Sequence, residues 1–555
     1  MLKSSLVIAL LASGQSVLAQ PSPPGAGGQL QQIPPPPLPE KIAPDMRVEG
    51  GQAVLAPTAE GAKFRVNKLL VTGNSLFSEA ELVAAAAVAP GADLSLDQLR
   101  AAAARIAAFY NDRGYFLAQA YLPAQEIVDG AVTVAVVEGR YGKTAFTNRS
   151  RLSDGAVTQA LAGLKSGSPV TAGPLERRLL LLSDVPGITV RSTLAPGIGV
   201  GTSDLLVDVT PGRRLTGSVE GDNGGNRYTG AYRLGGSVNL NNPAGIGDVL
   251  SLRLLGSTGK LGYGRLAYQA PVGAATVGVA FTHLRYELGR EFSSLDADGT
   301  ADIASLFGSY PLIRSRDANL YALVGVDAKW LTDRIHSVST RSRRTSRALN
   351  LGFSGDTRDG LGGGGRNLFS VGLAVGDLHL RSALDRVADA LTARSEGRFG
   401  RLHFSGARLQ TVGGPFSLYA SVRGQLAFGN LDTSEKMELG GAYGVRAYPE
   451  GEAYGDEGWL GTLEARLALS RWTGGLPGEL GLFGFVDVGE VKFADDPWAA
   501  GANRARRSGI GAGLSWAAPG GTVARVAYAR KLGNEAATSG PDKPGRFWFQ
   551  VSKLF

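Results

Sequence analysis

The chain has 555 residues, which is enough for about three domains and a large buried core. It contains no cysteine, and this excludes disulfide frameworks, thiolate metal sites and cysteine nucleophiles. The formal net charge of +8 is a modest excess at this length, and the basic residues form no coherent face interleaved with aromatic residues, so we expect no nucleic-acid partner.

The N-terminal residues carry an export signal. A basic residue at Lys3, a short apolar run and a small residue at Ala19 predict a signal peptide over residues 1–19. The apolar run is too short to span a membrane, and no later segment approaches 18 apolar residues, which excludes a helical membrane protein. Residues 20–63 are rich in proline and predict an extended linker without packed elements.

Two similar modules follow the linker. Residues 64–139 predict the order β-α-α-β-β, with capping boxes formed by Ser78 with Glu81 and by Ser95 with Gln98 at the two helix starts. Residues 140–212 repeat that order, so the modules stand in tandem. Each is predicted to be an α+β domain of about 75 residues.

From residue 213 onward the hydrophobic period is two. In GTLEARLAL, Leu463 and Leu467 alternate with Glu464 and Arg466, a pattern that suits either a soluble sandwich or a membrane barrel with a polar lumen. Residues 213–555 supply roughly 16 tilted strands and end on the aromatic strand FWFQVSKLF, which favours an all-β transmembrane barrel. Local basic clusters such as RSRR at 341–344 are interpreted as solvated or lumenal.

No motif indicates catalysis or a bound cofactor. The glycine-rich stretch GLGGGG at 360–365 matches a dinucleotide fingerprint, but no predicted helix follows it. The four histidines are scattered without metal-ligand spacing. We therefore expect no enzyme activity, no metal and no cofactor.

Two segments of the barrel region are predicted to be in contact. The strand GLFGFVDVGEV places Phe483, Phe485 and Asp487 on one face. A carboxylate facing hydrocarbon is costly, so this face must be lumenal and its two Phe side chains need apolar cover. The loop GGAYGVRAYPEGEAYGDEG at 440–458 contains a Val-Arg-Ala-Tyr core between glycines. We predict that this loop folds into the lumen and that Arg446 pairs with Asp487.

These motifs resemble those of the outer-membrane transporters of two-partner secretion, the exporters of haemolysins and filamentous-haemagglutinin-like adhesins. The resemblance covers nearly all of residues 63–555. It implies a functional loop tip and a partner motif on the barrel wall. The tip residues are Gly444, Val445, Arg446, Ala447 and Tyr448, and the wall residues are Phe485, Asp487 and Gly489. Ala447 replaces the superfamily's glycine, and it would be strained if the tip required a positive φ there.

The resemblance implies two periplasmic POTRA (polypeptide-transport-associated) domains before a 16-stranded barrel in the bacterial outer membrane. It further implies a transporter that captures one large, unfolded exoprotein in the periplasm and exports it to the cell surface. We expect a monomer surrounded by outer-membrane lipid. The alternative is a barrel-assembly factor of the same superfamily. The plug helix of some relatives has no clear counterpart, since only residues 29–33 could begin one before four prolines end it.

Overall fold

The computed structural model describes residues 23–37, 45–48, 63–469 and 477–555. The signal peptide predicted over residues 1–19 lies outside these ranges and stays a prediction. Within the described ranges, no helix is both long and apolar enough to cross a bilayer.

The proline-rich N-terminal segment contains two ordered elements. Helix α1 (Ala26–Gln31) has its first four residues buried, and strand β1 (Asp45–Val48) pairs in parallel with residues 191–194. The prediction of a linker without packed elements over residues 20–63 is therefore wrong for these two stretches. Both are stabilised by contacts with residues far along the chain, which local composition does not encode.

The first α+β unit packs two helices on a small sheet. Its elements are β2 (Lys63–Val66), β3 (Lys68–Thr72), α2 (Glu79–Ala86), β4 (Ala92–Ser95), α3 (Leu96–Asp112), β5 (Gln119–Tyr121) and β6 (Ala131–Val137). β6 pairs in parallel with β3 and antiparallel with β5, while β2 pairs with β4. Both predicted capping boxes are present, so side chains satisfy the amide groups at each helix start.

The second unit repeats this arrangement. Its elements are β7 (Arg140–Asn148), α4 (Asp154–Leu161), α5 (Ala172–Ser183), β8 (Ile188–Pro196) and β9 (Thr202–Pro211). The strand order is β1-β8-β9-β7, so β1 adds a strand from outside the unit to the β8 edge. Leu175, Leu179 and Leu182 of α5 are buried against the sheet because they recur on one helix face.

The remaining strands form a closed 16-stranded antiparallel barrel, as predicted. Its first eight strands are β10 (Leu215–Asp222), β11 (Arg233–Asn241), β12 (Val249–Ser257), β13 (Gly262–Val272), β14 (Ala275–Glu287), β15 (Ala297–Arg314), β16 (Ala318–Ile335) and β17 (Thr340–Asp359). There follow β18 (Gly365–Leu380), helix α6 (Ala383–Leu391), β19 (Gly397–Gly413), β20 (Phe416–Ala427), the short strands β21 (Met437–Glu438) and β22 (Tyr454–Gly455), then β23 (Glu457–Ala468), β24 (Glu479–Lys492), β25 (Arg504–Ala518), β26 (Thr522–Lys531) and β27 (Gly545–Leu554). Pairing of β10 with β27 closes the barrel. The strands β21 and β22 are not part of the wall and form a separate two-stranded sheet.

The two faces of the wall follow the predicted alternation. On β10, Glu220 is buried while Val219 is exposed, and on β23 Glu464 is buried while Leu463 is exposed. An apolar outer surface and a polar interior are what a barrel in a bilayer requires.

The second unit docks against one end of the barrel, the end at which β10 begins, here termed the inner mouth. Arg314 at the end of β15 donates hydrogen bonds of 2.7 and 2.8 Å to Asp184. Arg177 of α5 donates to the carbonyl oxygens of Pro311 and Leu312. The second α+β unit therefore lies beneath the inner mouth, and the opposite end is termed the outer mouth.

Candidate functional site in the barrel lumen

The long connection between β20 and β23 folds back from the outer mouth into the lumen. Val445, Ala447 and Tyr448 are fully buried, and they pack with Phe483 and Phe485 of β24 in one apolar cluster. The predicted loop ended at residue 458, but residues 457 and 458 belong to β23 because they pair with β24. Residues 440–456 are termed the lumenal loop.

Arg446 and Asp487 are in contact. The Arg446 Nε and Nη2 atoms donate to the two carboxylate oxygens of Asp487, both at 2.7 Å, and the Arg446 backbone N–H donates to the same group at 3.2 Å. Asp487 is completely buried, and Thr462 also donates to it at 2.9 Å. A planar guanidinium matches a carboxylate in this two-point geometry, which fixes the loop in orientation as well as position.

A second carboxylate extends this pair into a network. Glu464 of β23 accepts hydrogen bonds from three arginines, Arg446 at 3.2 Å, Arg466 at 2.8 Å and Arg525 at 2.7 Å. Two buried carboxylates therefore face three guanidinium groups. Sequence reasoning placed Glu464 on the lumenal face but missed its contact with Arg446 and Arg525. Strand alternation gives the face of each residue, whereas the register between strands decides which residues meet.

The rings of Phe483 and Phe485 are each covered by an arginine side chain. The Arg446 guanidinium carbon lies 3.3 Å from the ring centre of Phe485, and that of Arg525 lies 4.1 Å from the ring centre of Phe483. Stacking of a guanidinium on an aromatic face is attractive, more so when both are removed from water. Each arginine thus meets a carboxylate with its edge and a ring with its face.

Ala447 fits the loop tip without strain. Its φ is not positive, so the conformation that would demand glycine does not occur at this position. Its methyl group lies against Gly509 of β25, where an added Cβ would come within 2.6 Å of it. At Gly489, an added Cβ would lie 2.8 Å from the carbonyl oxygen of Trp459. Close packing of the loop therefore depends on glycines in the wall as well as in the tip.

A second charged anchor, missed by the sequence reasoning, holds the far side of the loop. Fully buried Glu452 accepts from Arg507 of β25 at 2.6 and 3.0 Å, and from the backbone N–H groups of Thr538 and Ser539. Tyr448 packs beside it, with its hydroxyl donating to a carbonyl oxygen at 3.2 Å. Glu452 lies in the stretch that the sequence singled out, yet its partner comes from a strand that no motif marks.

Helix α1 also lies in the lumen, beside the lumenal loop. Gln32 donates to the Tyr454 hydroxyl at 2.6 Å, and its carbonyl oxygen accepts from Arg233 at 2.7 Å. The Ala26 backbone N–H donates to Asp333 at 2.8 Å. The doubt about a lumenal helix in this segment is thereby resolved, since a helix is present and begins before the four prolines.

Another buried carboxylate joins the two α+β units. Glu138 accepts from the backbone N–H groups of Ser75 and Leu76, from the Tyr110 hydroxyl at 3.0 Å, and from Arg140 of the second unit at 3.1 Å. Burial opposes ionisation of Glu138, but these hydrogen bonds outweigh it and hold its pKa below the usual range. The group therefore stays charged and fixes the junction between the units.

The charged side chains that anchor the lumenal loop pair with one another, Arg446 with Asp487 and Glu464, and Glu452 with Arg507. Within the described ranges, no group of three or more His, Asp or Glu side chains could hold a metal ion. The arrangement is suited to holding a loop inside a channel.

Comparisons with known proteins support this architecture. The family model of haemolysin secretion/activation proteins ShlB/FhaC/HecB matches residues 201–516, and that of the ShlB-type POTRA domain matches residues 64–139. The chain is 29% identical over 473 residues to the heme/hemopexin transporter protein HuxB of Haemophilus influenzae (strain 86-028NP), covering 84% of this chain and 82% of that one. It is 24% identical over 375 residues to the outer membrane transporter CdiB of Dickeya dadantii, covering 66% and 65%. The solved structure of CdiB from Escherichia coli shares the fold, with a TM-score of 0.70 at 20% identity over 90% of this chain and 93% of that one.

Proposed function

The chain belongs to the ShlB/FhaC/HecB family and is an outer-membrane transporter of two-partner secretion; from this premise we propose how it captures and exports its partner. The partner is one large secreted protein of the adhesin or haemolysin type. It arrives unfolded in the periplasm, is bound by the two α+β units and leaves through the barrel lumen. The observation that supports the proposal is a tandem pair of joined units, the second of which is fixed beneath the inner mouth of a closed barrel.

Capture requires an open strand edge. An extended segment that adds to a sheet edge gains backbone hydrogen bonds without needing one particular sequence, which suits an unfolded protein. In the second unit, the β8 edge carries β1, a four-residue strand that comes from outside the unit. Because β1 is so short, its displacement from β8 breaks few hydrogen bonds. We propose that the partner takes the β8 edge in place of β1.

The wall and the lumenal loop then form the conduit. We propose that the tip residues 444–448 and the wall motif of Phe485, Asp487 and Gly489 keep the lumenal loop seated during transport. Export in this scheme needs no catalytic group of the chain, because folding of the partner outside the cell supplies the direction. One chain closes the barrel, so a monomer is sufficient.

A disulfide lock tests the capture site. Met46 and Ser192 are register partners between β1 and β8, and the chain has no other cysteine to interfere. A variant with Met46→Cys and Ser192→Cys should secrete little when oxidised and recover on reduction, since the bridge prevents β1 from leaving. The two single-cysteine variants are the controls. Equal secretion by the oxidised and reduced double variant would exclude the β8 edge.

Culture supernatants test the function itself. A strain without this protein should lack one very large secreted protein and keep its other outer-membrane barrels. Removal of residues 63–212 should stop secretion while leaving a folded barrel, since the barrel closes its own backbone hydrogen bonds. Depletion of many outer-membrane barrels would indicate the assembly function instead.

A further inference from the structure

The outer wall of the barrel carries arginines that the transport scheme does not use. Arg341, Arg343 and Arg347 lie on β17 and Arg398 on β19, and all four are exposed. Together they are termed the arginine patch. Within the part of the chain that the structure describes, none of their side chains forms an ion pair or a hydrogen bond.

Strand alternation shows which way the patch faces. Arg344, next to Arg343 on β17, points into the lumen, where it pairs with Asp333 and with Asp432. Its neighbours at odd positions therefore point away from the lumen. The RSRR cluster is thus divided, with Arg344 lumenal and Arg341 and Arg343 on the outside of the barrel.

The register places the patch at the edge of the apolar belt. Arg347 lies directly opposite Ala328, and the next outward pair toward the inner mouth is Leu349 with Val326, both exposed apolar residues. Trp330, which is 43% exposed, lies opposite Thr345 among the arginines. An aromatic side chain between apolar and charged residues marks the level of lipid headgroups.

The positive charge of the four arginines exceeds the negative charge of the one carboxylate beside them. Asp377 lies opposite both Arg347 and Arg398 in the sheet register, but it forms no ion pair with either within the described residues. At the other end of the same outward face, Asp359 of β17 pairs with Arg408 at 2.7 Å. The excess therefore occurs on the outer side of the membrane, where lipid headgroups supply the nearest anions.

We propose that the arginine patch binds the phosphate groups of lipid headgroups in the outer leaflet. A guanidinium offers paired donors that match phosphate oxygens, and basic residues beside a membrane are attracted to anionic headgroups. The exported protein is a poorer candidate, because the patch faces away from the lumen through which that protein passes. Lipid binding here orients the barrel and fixes its depth in the membrane.

The test measures binding of a phosphorylated glycolipid to purified full-length protein in neutral detergent. Bis-phosphorylated lipid A is titrated, and bound phosphorus is counted after gel filtration. The double variant Arg343→Gln with Arg347→Gln should lose about tenfold to thirtyfold in affinity. The affinity of the unchanged protein should fall as salt is raised, because exposed charges are screened.

A matched control lies on β17 and the adjacent strand β18. Arg358→Gln with Arg366→Gln removes the same charge from the lumen-facing side near the inner mouth, and this double variant should bind lipid A normally. Lipid A stripped of phosphate should bind weakly to all three proteins. Heat resistance of the barrel band verifies folding of each variant. Equal lipid A binding by the two double variants would overturn the proposal. So would unchanged lipid binding with lost secretion, which would assign the patch to the exported protein.

Discussion

Among the residues that the structure describes, the lumenal loop and the segment at residues 23–37 both lie in the barrel lumen, and different forces hold them there. The lumenal loop is held by buried ion pairs, Arg446 with Asp487 and Glu452 with Arg507. The segment at residues 23–37, which contains α1, has no charged residue and is held by single hydrogen bonds and apolar contacts. Of these two segments, the lumenal loop alone carries charged side chains.

The difference determines what it costs to move each segment. Withdrawing the lumenal loop would leave Asp487 and Arg507 buried in the wall without their partners Arg446 and Glu452, which is strongly unfavourable. Withdrawing residues 23–37 leaves no such charge, since Arg233 keeps Asp222 and Asp333 keeps Arg344. We therefore expect the loop to behave as a fixed part of the wall and the α1 segment as the part that can leave.

The largest effect is expected at the loop tip. Arg446→Ala leaves Asp487 fully buried with only Thr462 and a backbone N–H as donors, at a cost of about 3–5 kcal/mol to the seating of the loop. Secretion should fall severely while the amount of heat-resistant barrel is retained. Arg504→Ala removes an exposed pair with Glu490, worth about 0–1 kcal/mol, and serves as the control. Equal secretion by the two variants would show that the loop does not depend on Arg446.

A smaller effect is expected at the second anchor. Glu452→Gln keeps the shape of the side chain but weakens its hydrogen bonds with Arg507, at a cost of about 1.5–3 kcal/mol. Loop residues 532–544 should then become more sensitive to limited proteolysis, because Thr538 and Ser539 donate to the same carboxylate. Unchanged protection would mean that apolar packing alone holds this side.

The α1 segment should respond more weakly still. Gln32→Ala removes the hydrogen bond to Tyr454, worth about 0.5–1.5 kcal/mol, and should raise the open fraction of single channels in planar bilayers by roughly twofold to tenfold. The loop variant Arg446→Ala, recorded under the same conditions, serves as the comparison. An unchanged open fraction in Gln32→Ala would mean that the α1 segment is held as firmly as the loop.

The smallest effect is expected at the edge of the network. Arg466 is 34% exposed, and its carboxylate partner Glu464 keeps two other arginines. Arg466→Gln should therefore cost about 0–1 kcal/mol and leave secretion near normal. A loss as large as that of Arg446→Ala would mean that the whole network, and not one pair, seats the loop.

The sequence predicted those features that repeat or that carry an energetic penalty. Strand alternation predicted the barrel and its faces, and the cost of a carboxylate in lipid placed Asp487 in the lumen. The arginines that pair with Glu464 and Glu452, Arg525 and Arg507, could not be predicted, because the register between strands decides which residues lie side by side.

Helix α1 was missed for a different reason. Two of its six residues are glycines, which disfavour an isolated helix. In the lumen, Gly27 lies so close to the connection between β20 and β21 that an added Cβ would come within 2.7 Å of the Ser434 amide nitrogen. The helix thus depends on a tertiary contact that only glycine permits.

The most direct test of the account is a double-mutant cycle of Arg446→Ala and Asp487→Ala, with secretion measured alongside barrel abundance and heat resistance. Asp487→Ala should be the milder single change, since Arg446 keeps Glu464 at 3.2 Å. The double variant should secrete little less than Arg446→Ala, because residues that act as one unit are not additive. Additive losses of secretion would contradict the claim that the Arg446–Asp487 pair holds the loop in place. Losses of secretion that only follow barrel abundance would show that the pair is a structural salt bridge without a role in transport.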